Sequence, residues 1–253
     1  MITKFFKIIT LGLCAIVITS KVSATLDTAE LRLLLSDSAR DVSDFVRDSV
    51  RKPIEVLAFA GISKGMTVLD LYAAGGYYTF ILSKAVGDTG TVYAQNTERG
   101  LRFVEDRQNR TQGEALKEKI EEGNLKNVTQ LIGPTRSLSL EEESLDAVML
   151  AQTLHDSYNS NPDRALNLLQ RLKILLKPGG FIVVTDHVGI SGSNNREMHR
   201  MEITQAIAVA EQAGFSVESS DLLRNLGDDH RRSIFDPRLA RNTDRFLLKL
   251  TKP

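Results

Sequence analysis

Two histidines of this 253-residue chain stand directly beside an aspartate, as His155-Asp156 and Asp186-His187. An imidazole titrates near neutral pH, and a carboxylate that orients it turns such a pair into a proton acceptor for a bound molecule. The same four side chains offer nitrogen and oxygen donors of the kind that suit zinc or manganese, although the spacing matches no established metal signature. The ordinary structural alternative is that Asp and His here end strands and cap helices. The remaining histidines, His199 and His230, lie further along the chain. Imidazole chemistry therefore belongs to the second half.

The elements around these pairs follow from hydrophobic periodicity. Near-continuous apolar runs at 66–71, 91–94, 128–132, 146–151 and 181–185 read as strands. They alternate with helical patterns at 76–86, 98–122, 162–176 and 196–213, so a parallel sheet covered on both faces is expected. His155 and His187 then fall just after the fourth and fifth strands, at the carboxyl edge where such sheets bind ligands. The rhythm changes at the end. Residues 215–219 and 243–250 read as two strands without a helix between them, predicting a terminal antiparallel pair. The polar loop 222–242 joins them, and it mixes Arg224, Arg231, Arg232, Arg238 and Arg241 with Asp228, Asp229 and Asp236. Internal ion pairs in a solvated loop are the expectation; a lid carrying His230 toward the cleft is the functional alternative.

The first 24 residues read as a secretory signal. Lys4 and Lys7 form a basic head, residues 8–18 an apolar run short for a bilayer, and Val22-Ser23-Ala24 a cleavage site. Cleavage after Ala24 removes three lysines from 32 basic residues and none of the 32 acidic ones, so 29 − 32 leaves a net charge of −3. It also removes Cys14, the only cysteine, which suits an oxidising compartment and excludes a thiol nucleophile or thiolate-bound zinc. The protein is expected to be periplasmic or extracellular, with no stable membrane insertion after cleavage. Balanced charge, 6% aromatics and no Trp argue against a nucleic-acid partner. Residues 25–62 read as an N-terminal helical extension and 63–253 as the main domain. The extension packs on the main domain, or covers a ligand cleft.

The run Val68-Leu69-Asp70-Leu71-Tyr72-Ala73-Ala74-Gly75-Gly76-Tyr77-Tyr78-Thr79 resembles the first motif of the class I S-adenosylmethionine-dependent methyltransferases. Lys177-Pro178-Gly179-Gly180 is similar to the family's late Pro-Gly-Gly turn. More narrowly, the chain resembles a group of exported bacterial predicted methyltransferases. That likeness rests on Arg51-Lys52-Pro53, Gly75 to Thr79, His155-Asp156, Asp186-His187, His199-Arg200, Asp229-His230, Phe235-Asp236-Pro237 and Thr243 to Phe246. The resemblance implies an α/β fold, a Rossmann-like doubly wound sheet of five parallel strands plus the antiparallel pair, with helices on both faces. It implies S-adenosylmethionine as cofactor, held by Asp70, Tyr72, Gly75, Gly76 and Asn96, and a small-molecule acceptor. His155 or His187 would be the general base, with Asp156 or Asp186 orienting it.

Two departures from the family pattern shape further expectations. The motif's first two glycine positions hold Tyr72 and Ala74, which accept a positive φ at a cost, so a differently shaped turn is expected. The acid that the family places after the second strand is Asn96 here, which should weaken each ribose contact by roughly 1 kcal/mol, about fivefold in affinity. Glu98 is the candidate substitute. Two other readings stand beside the methyltransferase: a non-catalytic small-molecule-binding protein on the same scaffold with an altered cofactor pocket, and a hydrolase with a metal on His155, Asp156, Asp186 and His187.

Overall fold

The computed structural model describes residues 25–38, 40–104, 109–239 and 242–253. The expected signal segment and Arg241 lie outside the described residues. Seven strands form one sheet in the order β3-β2-β1-β4-β5-β7-β6. These are β1 (Thr67–Leu71), β2 (Thr91–Asn96), β3 (Val128–Ile132), β4 (Leu145–Ala151), β5 (Leu176–His187), β6 (Ser216–Ser220) and β7 (Arg245–Thr251). The pairs among β1 to β5 are parallel, and β7 runs antiparallel to both β5 and β6, as the terminal pattern predicts. Strand order runs outward from β1 to β3 and then returns to β4, so the ligand-binding switch point lies between β1 and β4.

Successive strand residues face opposite layers. Leu69, Val148, Leu150 and Ile182 pack with Leu169 and Leu172 of α8 (Pro162–Leu175) and Ala206 of α9 (Ile203–Gln212). Val68, Ala147, Met149 and Val183 pack with Leu57 of α3 (Pro53–Ala60) and Ile81 of α4 (Tyr77–Val86) on the other face. Runs that must be apolar on both faces carry no period-2 alternation.

The extension covers part of the carboxyl edge. Lys52, at φ +41°, breaks the chain sharply between α2 (Val42–Arg51) and Pro53 at the start of α3. Asp48 of α2 accepts from the Tyr77 hydroxyl at 2.7 Å, and buried Asp44 pairs with Lys119 at 3.1 Å. These contacts place Arg51, the last residue of α2, over the ends of the strands.

Three expected elements differ. The helical stretch 98–122 is two helices, α5 (Glu98–Leu101) and α6 (Gln112–Glu122), the latter opened by a Thr111/Glu114 capping box. The Pro-Gly-Gly turn lies inside β5 rather than before it: Leu176 pairs with Leu145 and Phe181 with Ala147, so Lys177–Gly180 bulge out of a continuing strand. The last helix begins at Ile203, not near Arg196, because residues 188–202 are drawn into tertiary contacts. Met201 N donates to His187 O, and the fully buried Arg200 donates to Asp228 and to the Val188 carbonyl. Helix α7 (Leu154–Ser160), directly after β4, completes the carboxyl edge.

Candidate active site

The turn after β1 keeps the left-handed backbone that glycines usually supply. Tyr72, Ala74 and Gly76 have φ of +55°, +50° and +83°. The expectation of a differently shaped turn is therefore wrong. Left-handed conformations cost non-glycine residues about 1–2 kcal/mol each, and β2 supplies the bonds that offset this. Gln95 Oε1 accepts from Tyr72 N at 3.1 Å, and Gln95 O accepts from Ala73 N at 2.9 Å. Asn96 clamps Ala74 from both sides: its Oδ1 accepts from Ala74 N at 2.9 Å and its Nδ2 donates to Ala74 O at 3.3 Å. The amide expected to face a ribose is thus bound to the turn itself. Glu98 is exposed on the first turn of α5.

The two glycines serve helix packing. A Cβ on Gly75 would sit 2.7 Å from Gln112 Oε1, and one on Gly76 would sit 2.7 Å from Leu116 Cδ1, both on α6. Beneath the turn, Asp70 is buried and accepts from Thr79 Oγ1 at 2.6 Å; burial pushes its carboxyl up to about 7. Above the turn a cleft of about 820 Å³ opens, walled by Tyr72, Thr153, Asp156 and Leu168 and edged by Arg99, Arg136, Arg164 and Arg171.

His155 lies between two aspartates, Asp186 from the neighbouring strand end and its sequence neighbour Asp156. Asp186, fully buried at the end of β5, lies 2.7 Å from His155 Nδ1 and accepts from the His155 backbone N–H at 2.9 Å. A carboxylate only accepts, so Nδ1 carries a proton and Nε2 is the reactive nitrogen. Nε2 is buried, without an aligned hydrogen bond, 3.2 Å from Asp156 Oδ1. Burial works against the charged imidazole, but Asp186 and Asp156 prevail and hold its proton up to about 10. His187 is the opposite case. Burial and the neighbouring Arg245 push it well below its ordinary value, and it is neutral, with Nδ1 2.7 Å from Thr243 Oγ1.

His199, at φ +52°, packs edge-on against His155 and against Phe235 of the 222–242 loop. Among the described residues, His155, Asp156 and His199 bring donor atoms within 4.8 Å of one another, close enough for a metal ion. The four-residue set expected from spacing is not assembled, since Asp186 turns to the far nitrogen of His155. The loop itself is more than a solvated strap. His230 binds Asp244 at 2.8 Å rather than entering the cleft, and Asp244 and Asp228 are buried against Arg224 and Arg200.

The sequence reading gave no role to Gln95, Arg51, Thr243 or Arg245. Gln95 flanks Asn96, and the other three stand in stretches quoted for the resemblance, which was the available signal.

A family model described as "Methyltransferase domain" matches residues 62–223. The demethylmenaquinone methyltransferase of Staphylococcus aureus (strain MRSA252) is 34% identical over 128 residues, 51% of this chain and 46% of that protein. That of Lactococcus lactis is 34% identical over 119 residues, 47% and 41% of the two chains. The chain spans about half the length of the curated relatives it matches. Among solved structures, a SAM-dependent methyltransferase from Aquifex aeolicus is similar at TM-score 0.60 and 23% identity, over 90% of this chain and 99% of that one. A "possible exported protein" from Bordetella parapertussis is similar at TM-score 0.55 and 13% identity, over 82% and 68%. These structural likenesses show the fold.

Proposed function

The chain belongs to the S-adenosylmethionine-dependent methyltransferase family, and on that premise we propose that it methylates a small-molecule acceptor, with His155 taking the acceptor's proton. One observation carries this reading: Asp186 holds His155 Nδ1 at 2.7 Å, which leaves Nε2 as the basic nitrogen, buried directly behind Asp156, which lines the cleft.

The residues present fit the cofactor. The left-handed turn at Tyr72, Ala74 and Gly76 is intact, the cleft above it is open, and its arginines suit the carboxylate of a methionine group. Asp70 and Asn96 brace that turn, Gly75 and Gly76 let α6 close on it, and Tyr72 walls the cleft. When bound, S-adenosylmethionine supplies an electrophilic methyl. The altered-pocket alternative loses its main premise, because Tyr72 and Ala74 reproduce the backbone they were expected to change.

Methyl transfer asks for alignment and removal of one proton. Asp186 acts as a positioning residue, fixing the tautomer and ring plane of His155. His155 accepts the proton at Nε2. At neutral pH that nitrogen already carries a proton, held by Asp186 and Asp156, so the rate climbs as alkali removes it. The demethylmenaquinone of the relatives' names is their acceptor; matches over half their length do not bring it here.

Export is part of the proposal. The basic head, the apolar run and Val22-Ser23-Ala24 support a secretory signal cut after Ala24, and hence a periplasmic or extracellular enzyme. Among the described residues no helix is long and apolar enough to cross a membrane.

The test is thermal unfolding with S-adenosylhomocysteine, joined to its release during turnover over a panel of hydroxylated and carboxylated small molecules. Ligand at 100 times its dissociation constant stabilises by about 2.7 kcal/mol, roughly 5–10 °C here. His155→Gln should keep that shift and lose about 10²–10⁴ in turnover. Undiminished turnover in this variant refutes the role of His155.

A further inference from the structure

Three donor atoms meet where the large cleft adjoins a second cavity. Asp156 lines both the cleft and a cavity of about 390 Å³ that His199, Asn194 and Glu197 also line. Its Oδ1 lies 3.2 Å from His155 Nε2 and 3.3 Å from His199 Nδ1. Two features set this trio apart from an ordinary ion-paired cluster.

The first is the state of His155. Its side chain is 3% exposed, and Nε2 is buried without an aligned hydrogen bond, although a carboxylate oxygen stands 3.2 Å away. A buried nitrogen so close to a carboxylate, yet off its hydrogen-bonding axis, is satisfied by a partner lying between the two. The other ring nitrogen is already committed. Asp186 holds Nδ1–H at 2.7 Å and is itself fixed by the backbone N–H groups of His155 and His187, at 2.9 and 2.8 Å. A carboxylate on the far nitrogen is the arrangement that orients a metal-ligating histidine and leaves its near nitrogen bare.

The second is distance. Metal–nitrogen and metal–oxygen bonds of about 2.0–2.2 Å put neighbouring donors about 2.9–3.4 Å apart, from octahedral to tetrahedral angles. Both measured separations fall in that range. All three donors lie within 4.8 Å of one another, so closing the third edge to about 3.4 Å takes a movement of at most about 1.4 Å. The Asp156 and His199 side chains, 61% and 38% exposed, have room for it. An exposed imidazole exchanges its proton with water and takes the tautomer that an ion requires. The backbone keeps His199 in reach. It sits at φ +52°, a conformation that persists only where the surroundings impose it. The next residue, Arg200, is anchored to the Val188 and Arg232 carbonyls and to Asp228.

Two imidazoles and one carboxylate suit zinc and its neighbours rather than magnesium or calcium, which prefer all-oxygen sites. We infer that His155 Nε2, Asp156 and His199 Nδ1 form a binding site for a zinc-class divalent cation, with Asp186 orienting the buried ligand. An ion and a proton cannot share the lone pair of Nε2. The loaded protein therefore has no base at His155, so bound metal holds methyl transfer off and its removal restores it. This blocking role rests on the methyltransferase reading; the site itself does not.

The test is calorimetric titration of the full chain, stripped of metal with EDTA and dialysed free of chelator, with zinc chloride and with magnesium chloride. Wild-type protein should bind one zinc ion per chain saturably, at least a hundredfold more tightly than magnesium. His199→Asn, whose side chain tolerates left-handed backbone, and Asp156→Asn should each weaken zinc tenfold or more; thermal unfolding establishes that each variant is folded. Absence of saturable zinc binding, wild-type affinity in either folded variant, or magnesium bound as tightly as zinc overturns the site. Release of S-adenosylhomocysteine over the acceptor panel should fall about tenfold at ten times the zinc dissociation constant, and recover with EDTA. Undiminished release with zinc bound overturns the blocking role. No release from metal-free protein on any acceptor, with zinc binding intact, refutes the methyltransferase reading and the blocking role with it, and leaves the site standing.

Discussion

Asn96→Asp separates two roles for one residue. If Asn96 stood in for the family's ribose-binding acid, restoring the acid would tighten the cofactor by about fivefold and leave the fold untouched. The structure argues otherwise, since Asn96 is 4% exposed and both ends of its amide are bound to Ala74. An ionised carboxylate keeps the bond from Ala74 N–H but sets an oxygen against Ala74 O, where Nδ2 now donates at 3.3 Å. The loss of one hydrogen bond costs about 1 kcal/mol, and a charged carboxylate oxygen left without a donor at this buried position a further 1–3 kcal/mol. A destabilisation of about 2–4 kcal/mol at pH 8 lowers Tm by roughly 5–15 °C. The deficit should depend on pH. Burial raises the folded pKa of the new carboxyl, so its stability contribution is present below the unfolded value near 3.9 and is lost as pH rises. When protonated, the carboxyl donates to Ala74 O and rebuilds the clamp. Scanning calorimetry at pH 5 and pH 8, with S-adenosylhomocysteine titrations, measures both effects. Tighter ligand binding at unchanged Tm would refute the clamp.

Asp70 carries a second pH signature. Its folded carboxyl sits at about 7, above its ordinary 3.8, so its contribution falls as pH rises from about 4 to about 7, by at most about 1.4 kcal/mol per unit. Urea unfolding of wild type and Asp70→Asn across that window should show the variant free of this decline; parallel curves count against it. For His155, faced by Asp186 of β5, Asp156 of α7 and the rings of His187 and His199, kcat/KM should rise with pH toward about 10. Asp156→Asn removes one carboxylate holding the proton and should move that limb to lower pH. An unmoved limb would show that Asp156 does not act on His155.

The apolar runs carried enough information for the sheet, because a strand buried on both faces must be apolar along its length whatever packs upon it. The antiparallel end was readable for a related reason: two strand patterns with no helix between them leave no crossover for a parallel pairing. That His155, Asp156, Asp186 and His187 stand together at the carboxyl edge was likewise readable. Which of these side chains meet was not readable. His155 Nδ1 meets Asp186 because β4 and β5 lie side by side in register, with Ala151 opposite Thr185, and no local spacing encodes that. Tyr72 and Ala74 argued locally against a left-handed turn, yet the turn stands because Gln95 and Asn96 reach it from the adjacent strand. Arg51 joins Arg245, 194 residues away, only because Lys52 turns α2 back over the strand ends. Periodicity is a property of a segment and survives in the sequence; a side chain's partner is a property of the assembled sheet, and arises only when distant strand ends come together.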